Sequence, residues 1–176
     1  MANTFYTIGH STRTLDEFLP LLRDARIETL VDVRRIPRSA TNPQFNAATL
    51  PDALAPAIGY LHLAELGGRR SMRKEVPPST NAFWQNRSFH NYADYAMGAE
   101  FAAGFTKLLE LGQAGPCAIM CAETVWWRCH RRIIADYLIA HGEKVVHIVD
   151  AEHAGAATLT PGAHLRPDGT VTYPAE

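Results

Sequence analysis

The segment from Cys121 to Arg131 concentrates the side chains of this sequence that could do chemistry. Its eleven residues include two thiols, a carboxylate, an imidazole and two guanidinium groups. The apolar run 118–120 that precedes the segment is typical of a buried strand. Because open α/β sheets keep their ligand sites outside the carboxyl ends of their strands, the segment predicts a functional site at that edge.

Glu123 and His130 are the residues of this segment that would move protons. Alternation along the strand points the side chains of Cys121 and Glu123 in the same direction. Glu123 would act as an acid if burial beside aromatic residues kept its carboxyl group protonated. Our principal hypothesis is an enzyme, such as a hydrolase, that uses acid/base chemistry on an anionic, nucleotide-like or nucleic-acid substrate.

The thiols support an alternative hypothesis, an enzyme with a cysteine nucleophile. Cys129 would be the nucleophile and His10 or His130 the base. A helix predicted over 126–140 would place Cys129 in its first turn, where free amide groups and the helix dipole lower the pKa of a thiol. The competing interpretation is that Cys121 and Cys129 are packing residues, as most free cysteines are.

A metal-dependent enzyme is a further alternative. Cys121, Cys129, His130 and His10 are possible zinc or iron ligands. The separation of the two cysteines is unlike that of common zinc modules, so we predict no metal or other cofactor.

Other predicted strand ends add polar side chains to the same edge. Guanidinium groups suit phosphate or carboxylate, and aromatic rings could stack on a base. An acid beside an arginine, as in Asp32 and Arg34, could equally do no more than orient a loop. The expected catalytic residues are His10, Asp32, Glu123, Cys129 and His130. The expected substrate-binding residues are Ser11, Arg34, Arg69, Arg70, Tyr92, Tyr95, Cys121, Trp126 and Arg131.

Alternating strand and helix patterns position these residues. They predict an α/β fold, a single domain with a mainly parallel β-sheet flanked by helices on both faces. Thr14 and Glu17 predict a capped helix start, and Pro167–Thr170 predicts a hairpin turn. The predicted strands are 4–9, 27–33, 58–63, 117–122 and 144–149, and the later helices are 47–54, 92–111 and 126–140.

Length and composition agree with one domain over 1–176. The chain is 47% hydrophobic, with a formal net charge of -1 and a pI near 6.7. Its apolar runs are too short to cross a bilayer, so we expect no membrane association. Three cysteines and the lack of a signal peptide predict reduced thiols and a cytoplasmic location.

Six short motifs, taken in order, resemble the DUF488 family, a group named for its unknown function. The resemblance implies a small cytoplasmic prokaryotic α/β domain with a core at about 5–148 and a tail at 151–176, and it implies no reaction. Many members have a proline in the segment between residues 123 and 129, and this chain has Trp126 and Trp127 there instead. The motifs are Tyr6–Thr12, Leu30–Arg34 with Pro37 and Ser39, Leu66–Gly68, Tyr92 with Ala93, Met120–Glu123 and Cys129–Arg131.

A non-catalytic nucleic-acid-binding module is the alternative from another functional class. Arginines of the first half, with Phe83, Trp84 and Phe89, could combine phosphate contacts with base stacking. The near-neutral pI argues against it, because dedicated nucleic-acid binders are usually basic. A regulatory domain with a ligand-sensing pocket would use the same polar cluster.

Overall fold

The structure is a computed structural model, and it describes residues 2–175. Within that range a six-stranded sheet has the order β3-β2-β4-β1-β5-β6, in which all neighbours are parallel except β5 and β6. No helix of these residues is both long enough and apolar enough to cross a membrane. The strands are β1 Thr4–Gly9, β2 Thr29–Asp32, β3 Gly59–His62, β4 Cys117–Cys121, β5 Lys144–Ile148 and β6 Ala154–Ala156.

Helices cover both faces of this sheet, which confirms the predicted α/β fold. Strand residues alternate between the faces, so Ile8 and Leu30 pack toward one side and Phe5 and Val31 toward the other. Helices α1 and α2 cover the first side, and α3, α4 and α5 cover the second. The helices are α1 Leu15–Asp24, α2 Leu50–Leu54, α3 Arg87–Ala96, α4 Ala99–Ala114 and α5 Arg131–Ala140.

The chain leaves the two central parallel strands β1 and β4 toward opposite faces of the sheet. After β1 the chain enters α1 on one face, and after β4 it enters α5 on the other. Neighbouring parallel strands whose connections diverge in this way leave a crevice at their carboxyl ends, where α/β proteins bind ligands. Gly9 and Cys121 are paired at this end.

The start of α1 follows the prediction. Thr14 is its N-cap: the Thr14 hydroxyl accepts from the Glu17 amide at 3.1 Å, and the Glu17 carboxylate accepts from the Thr14 amide at 2.8 Å. This reciprocal capping box satisfies two backbone donors that a helix start would otherwise leave free.

Two helix predictions were wrong because a periodic pattern does not reveal a short break. The helix predicted over 92–111 is two helices, α3 and α4, interrupted where Gly98 takes an extended conformation. The helix predicted over 126–140 is a 3₁₀ turn, Trp126–Arg128, followed by extended Cys129 and then α5. Helices α3 and α4 both bury apolar side chains against the same core, so the apolar spacing continues across the break at Gly98. The helix predicted over 47–54 begins only at Leu50.

The C-terminal segment packs onto the rest of the fold. Strand β6 extends the sheet, and the predicted hairpin is confirmed as β7 His164–Leu165 paired with β8 Val171–Thr172. Tyr173 is buried, its hydroxyl donates to Asp136 at 2.8 Å and its amide donates to Asn81 at 2.9 Å. These bonds fix the tail to α5 and to the segment before α3.

We predict that Gly9→Ala destabilises the fold, because a Cβ at Gly9 would lie 1.8 Å from the Glu123 carbonyl oxygen. Overpacking of this kind costs about 1–3 kcal/mol of unfolding free energy. Urea denaturation would measure the loss. Gly155→Ala is the matched control, since a Cβ there has no atom within 4 Å. Equal urea midpoints for the two variants would contradict the prediction.

Candidate thiol site

Two cysteines meet at the carboxyl end of β4. Cys121 is the last residue of that strand, and Cys129 lies in the extended segment before α5. Their sulfur atoms are 2.9 Å apart. Cys121 is 3% exposed and Cys129 is 6% exposed, so solvent reaches only a small part of either residue.

The buried guanidinium of Arg131 holds this pair in place. Its Nε donates to the Cys121 sulfur at 3.0 Å, and the Arg131 backbone amide donates to the Cys129 sulfur at 3.3 Å. Its other nitrogens donate to the Thr7 hydroxyl at 3.1 Å and to the Glu123 carbonyl at 2.6 Å. One side chain therefore links β1, β4, the loop after β4 and the start of α5.

These contacts make the two thiols electrostatically unequal. Burial alone would raise the pKa of Cys129, but hydrogen bonding from Cys121 and the charge of Arg131 overcome it and lower that pKa to about 7. Burial and the neighbouring Cys129 raise the pKa of Cys121 well above its usual value. Cys121 therefore keeps its proton and donates it in a hydrogen bond to the Cys129 thiolate.

His130 lies beside the Cys129 sulfur with a fixed ring orientation. Its Nε2 is 2.7 Å from the Val33 carbonyl, which can only accept, so Nε2 carries the ring proton. Its Nδ1, 3.5 Å from the Cys129 sulfur, then keeps a lone pair directed at the thiol. Burial lowers the pKa of His130, so the ring is neutral at pH 7. The backbone of Gly68 packs close to this Nδ1.

Asp32, Arg34 and His10 form a second, closed cluster at the same edge. Asp32 accepts from Arg34 Nε at 2.9 Å and Nη2 at 2.6 Å, and from the Tyr60 hydroxyl at 2.5 Å. His10 donates from Nδ1 to the Ser11 carbonyl, and its Nε2 is 3.3 Å from Arg34 Nη1. Burial lowers the pKa of His10. Each polar group has a protein partner, so this cluster orients the loops around it.

Glu123 does not lie where strand alternation predicted. The strand ends at Cys121, so alternation no longer fixes the next residues, and the Glu123 side chain is exposed while its carbonyl faces Arg131. The expectation of a carboxyl group buried beside aromatic residues was therefore wrong.

The aromatic candidates are engaged within the protein. Tyr92 is fully buried and its hydroxyl donates to the Leu66 carbonyl at 2.7 Å. Tyr95 donates to the Glu65 carbonyl, and Arg70 lies 4.0 Å from its ring centroid. Trp126 stacks on His147, with ring centroids 4.3 Å apart and planes 5° apart.

The basic candidates Arg69 and Arg70 differ in exposure and in hydrogen bonding. Arg69 is exposed, whereas Arg70 donates to the Gly67 and Ala64 carbonyls. Beside them lies an open cleft of about 340 Å³. Its lining residues are Arg35, Arg70, Ser71, Met72, Arg73, Glu75, Tyr95 and Glu100.

Sequence reasoning missed two residues that support Arg131. The Thr7 hydroxyl, which accepts from Arg131, lies 2.6 Å from His147 Nδ1, and burial lowers the pKa of His147 to about 3. The two residues are register partners in β1 and β5. A polar residue inside each of two apolar strands was the available signal.

Among residues 2–175, no group of three or more His, Cys, Asp and Glu side chains is arranged to hold a metal ion.

The family model described as a domain of unknown function, DUF488, matches residues 14–138, which is most of the chain. The chain belongs to the DUF488 family. The match includes Cys121, Cys129, His130 and Arg131, and it confirms the resemblance to this family. It is narrower than the expected 5–148, since it begins after the Tyr6–Thr12 motif. Comparison of the chain with curated proteins and with solved structures gives no match.

We predict that Cys129 of this DUF488 protein is alkylated by iodoacetamide with a midpoint near pH 7. The thiolate is the reactive form, so the rate rises with pH through the Cys129 pKa of about 7. Cys117 is an internal control, because burial raises its pKa to about 11. Peptide mass spectrometry would follow both residues, and a Cys129 midpoint near pH 9 would contradict the prediction.

Proposed function

We propose that the chain is a cysteine-dependent enzyme in which Cys129 is the nucleophile. The observation that carries this proposal is the set of hydrogen bonds that the Cys129 sulfur accepts, from the Arg131 amide at 3.3 Å and from Cys121 at 2.9 Å. A thiolate held in this way at the carboxyl edge of the sheet can attack an electrophilic centre and form a covalent intermediate.

His130 supplies the proton transfer that such a nucleophile needs. Its unprotonated Nδ1 lies 3.5 Å from the Cys129 sulfur and is oriented by the bond from Nε2 to Val33. Distances between a nucleophile and its base are often this long before substrate binds. His130 would accept the proton of Cys129 when the thiol ionises and return it to a leaving group.

The surroundings favour a small anionic substrate. Cys129 is 6% exposed, which excludes a bulky electrophile from its sulfur. Gly68 packs against His130, and the exposed Arg69 follows it directly. The cleft beside this loop contains Arg35, Arg70 and Arg73, and the charges of the last two are partly neutralised by Glu100 at 3.8 Å and Glu75 at 3.4 Å. The guanidinium groups of Arg69 and Arg35 would attract a phosphate or carboxylate to this side of the protein.

The acid/base enzyme and the nucleic-acid module receive less support. The Glu123 side chain is exposed to solvent, so burial does not keep its carboxyl group protonated. Trp84, expected to stack on bases, is buried and stacks on Phe89 with ring centroids 4.8 Å apart. All three cysteines are free thiols, which fits a cytoplasmic location as part of the proposal.

Turnover of small anionic electrophiles tests the proposal. The panel would contain acetyl phosphate, a phosphate monoester and thiosulfate, each assayed with wild type and with matched variants. We expect turnover of one compound class that Cys129→Ser abolishes, that Cys117→Ser preserves and that His130→Gln reduces about 10²-fold, as loss of a general base does. Turnover that survives Cys129→Ser, or no turnover of any compound, would refute the assignment.

We also predict that Gly68→Ala slows Cys129-dependent turnover without unfolding the chain. A Cβ at residue 68 would lie 2.9 Å from His130 Nδ1, so the imidazole must shift from its position beside the sulfur. Displacements near 1 Å cost up to about 10²-fold in rate. Steady-state kinetics and thermal melting would be compared with those of Gly155→Ala, and unchanged kinetics would contradict the role given to His130.

A further inference from the structure

The geometry points to a second activity at this site: Cys129 and Cys121 form a reversible disulfide and thereby reduce a small hydroperoxide. This inference rests on the proposed function, because Cys129 is the attacking thiolate in both. It adds a substrate class, the hydroperoxides, and a role for Cys121 that a one-cysteine mechanism does not require.

The positions of the sulfur atoms support closure of this bond. They are 2.9 Å apart, so a disulfide of 2.03–2.05 Å requires an approach of only about 0.9 Å. Cys121 is fixed at the end of β4, whereas Cys129 lies in an extended segment between a 3₁₀ turn and α5. The approach therefore falls on a connection and leaves the sheet intact.

The third cysteine is excluded from the pair by its place in the fold. Cys117 begins the same strand that Cys121 ends, so about 13 Å of strand separates the two residues. Cys117 donates to the Gly115 carbonyl, at the opposite edge of the sheet. Only Cys121 can resolve an oxidised Cys129 within one chain.

The proposed reaction has two steps. The Cys129 thiolate attacks one oxygen of the hydroperoxide, the O–O bond breaks, and the departing alkoxide or hydroxide takes a proton from water. Cys121 then attacks the sulfenic sulfur of Cys129, so that the S–S bond forms, the S–O bond breaks and water leaves with the Cys121 proton. The two thiols supply the two electrons that the peroxide accepts, and an external thiol restores them.

The environment assigns each thiol to its step. The hydrogen bonds to Cys129 favour its thiolate, which is the form that attacks peroxide. Arg131 Nε lies 3.0 Å from the Cys121 sulfur and stabilises negative charge there when Cys121 attacks in turn. Cys129 is 6% exposed, so the proposed oxidant is a small hydroperoxide and not a protein disulfide.

The test treats the full chain with stoichiometric hydrogen peroxide and identifies the products by peptide mass spectrometry. We expect wild type and Cys117→Ser to consume one equivalent of peroxide, lose two hydrogens and contain a Cys121–Cys129 disulfide that dithiothreitol reverses. Cys121→Ser should stop at a Cys129 sulfenic acid that dimedone traps. Cys129→Ser should form no disulfide.

Two outcomes would overturn the inference. If wild type accumulates Cys129 sulfenic or sulfinic acid and no disulfide, Cys121 is not the resolving thiol. Rapid iodoacetamide labelling of Cys129 in a sample not treated with peroxide would then leave the proposed function standing. If Cys129 reacts with neither peroxide nor iodoacetamide at pH 7, both proposals fail. The disulfide is mapped in wild type, so the result does not depend on the folding of a variant.

Discussion

The rest of the site depends on the burial of one positive charge, the guanidinium of Arg131. It is 1% exposed, and among residues 2–175 no carboxylate forms an ion pair with it. A buried charge without compensation is costly, and the hydroxyl and carbonyl groups around it supply only dipoles. The anion that remains available is the thiolate of Cys129. The buried charge of Arg131 therefore lowers the pKa of Cys129, and the Cys129 thiolate in turn stabilises the buried charge.

The neighbouring Arg34 shows what the same side chain does with a complete set of partners. Asp32 neutralises it, and Tyr60 occupies the same carboxylate. That cluster is closed and serves to hold the loops after β1 and β2. The difference between a positioning cluster and a reactive one lies in the partner: Arg34 has a carboxylate, whereas Arg131 has sulfur. The thiol cluster is the one that we propose to be reactive, because its sulfur can act as a nucleophile.

The fold and the edge that carries the site could be predicted from sequence, because strand alternation and the strand-end rule depend on local patterns. The position of Glu123 could not, since it lies just after the last paired residue of β4, where the backbone is no longer fixed by a ladder. The support of Arg131 by Thr7 and His147 was also missed. Thr7 lies 124 positions from Arg131 and 140 positions from His147 in the sequence. The register of β1 with β5 pairs Thr7 with His147, and no local pattern predicts that pairing.

The same electrostatics bear on the direction of the proposed thiol chemistry. Formation of a disulfide would remove the Cys129 thiolate, whose negative charge acts on the buried guanidinium of Arg131. The reduced state is therefore stabilised by an interaction that the oxidised state loses, a condition that makes a disulfide easy to reduce. Closure of the pair would be favoured by the short distance between the sulfurs, and reduction of the disulfide by an external thiol would be favoured by the charge beside them. A site built in this way is suited to cycling between its two states, and Arg131 is the residue that couples nucleophile and disulfide.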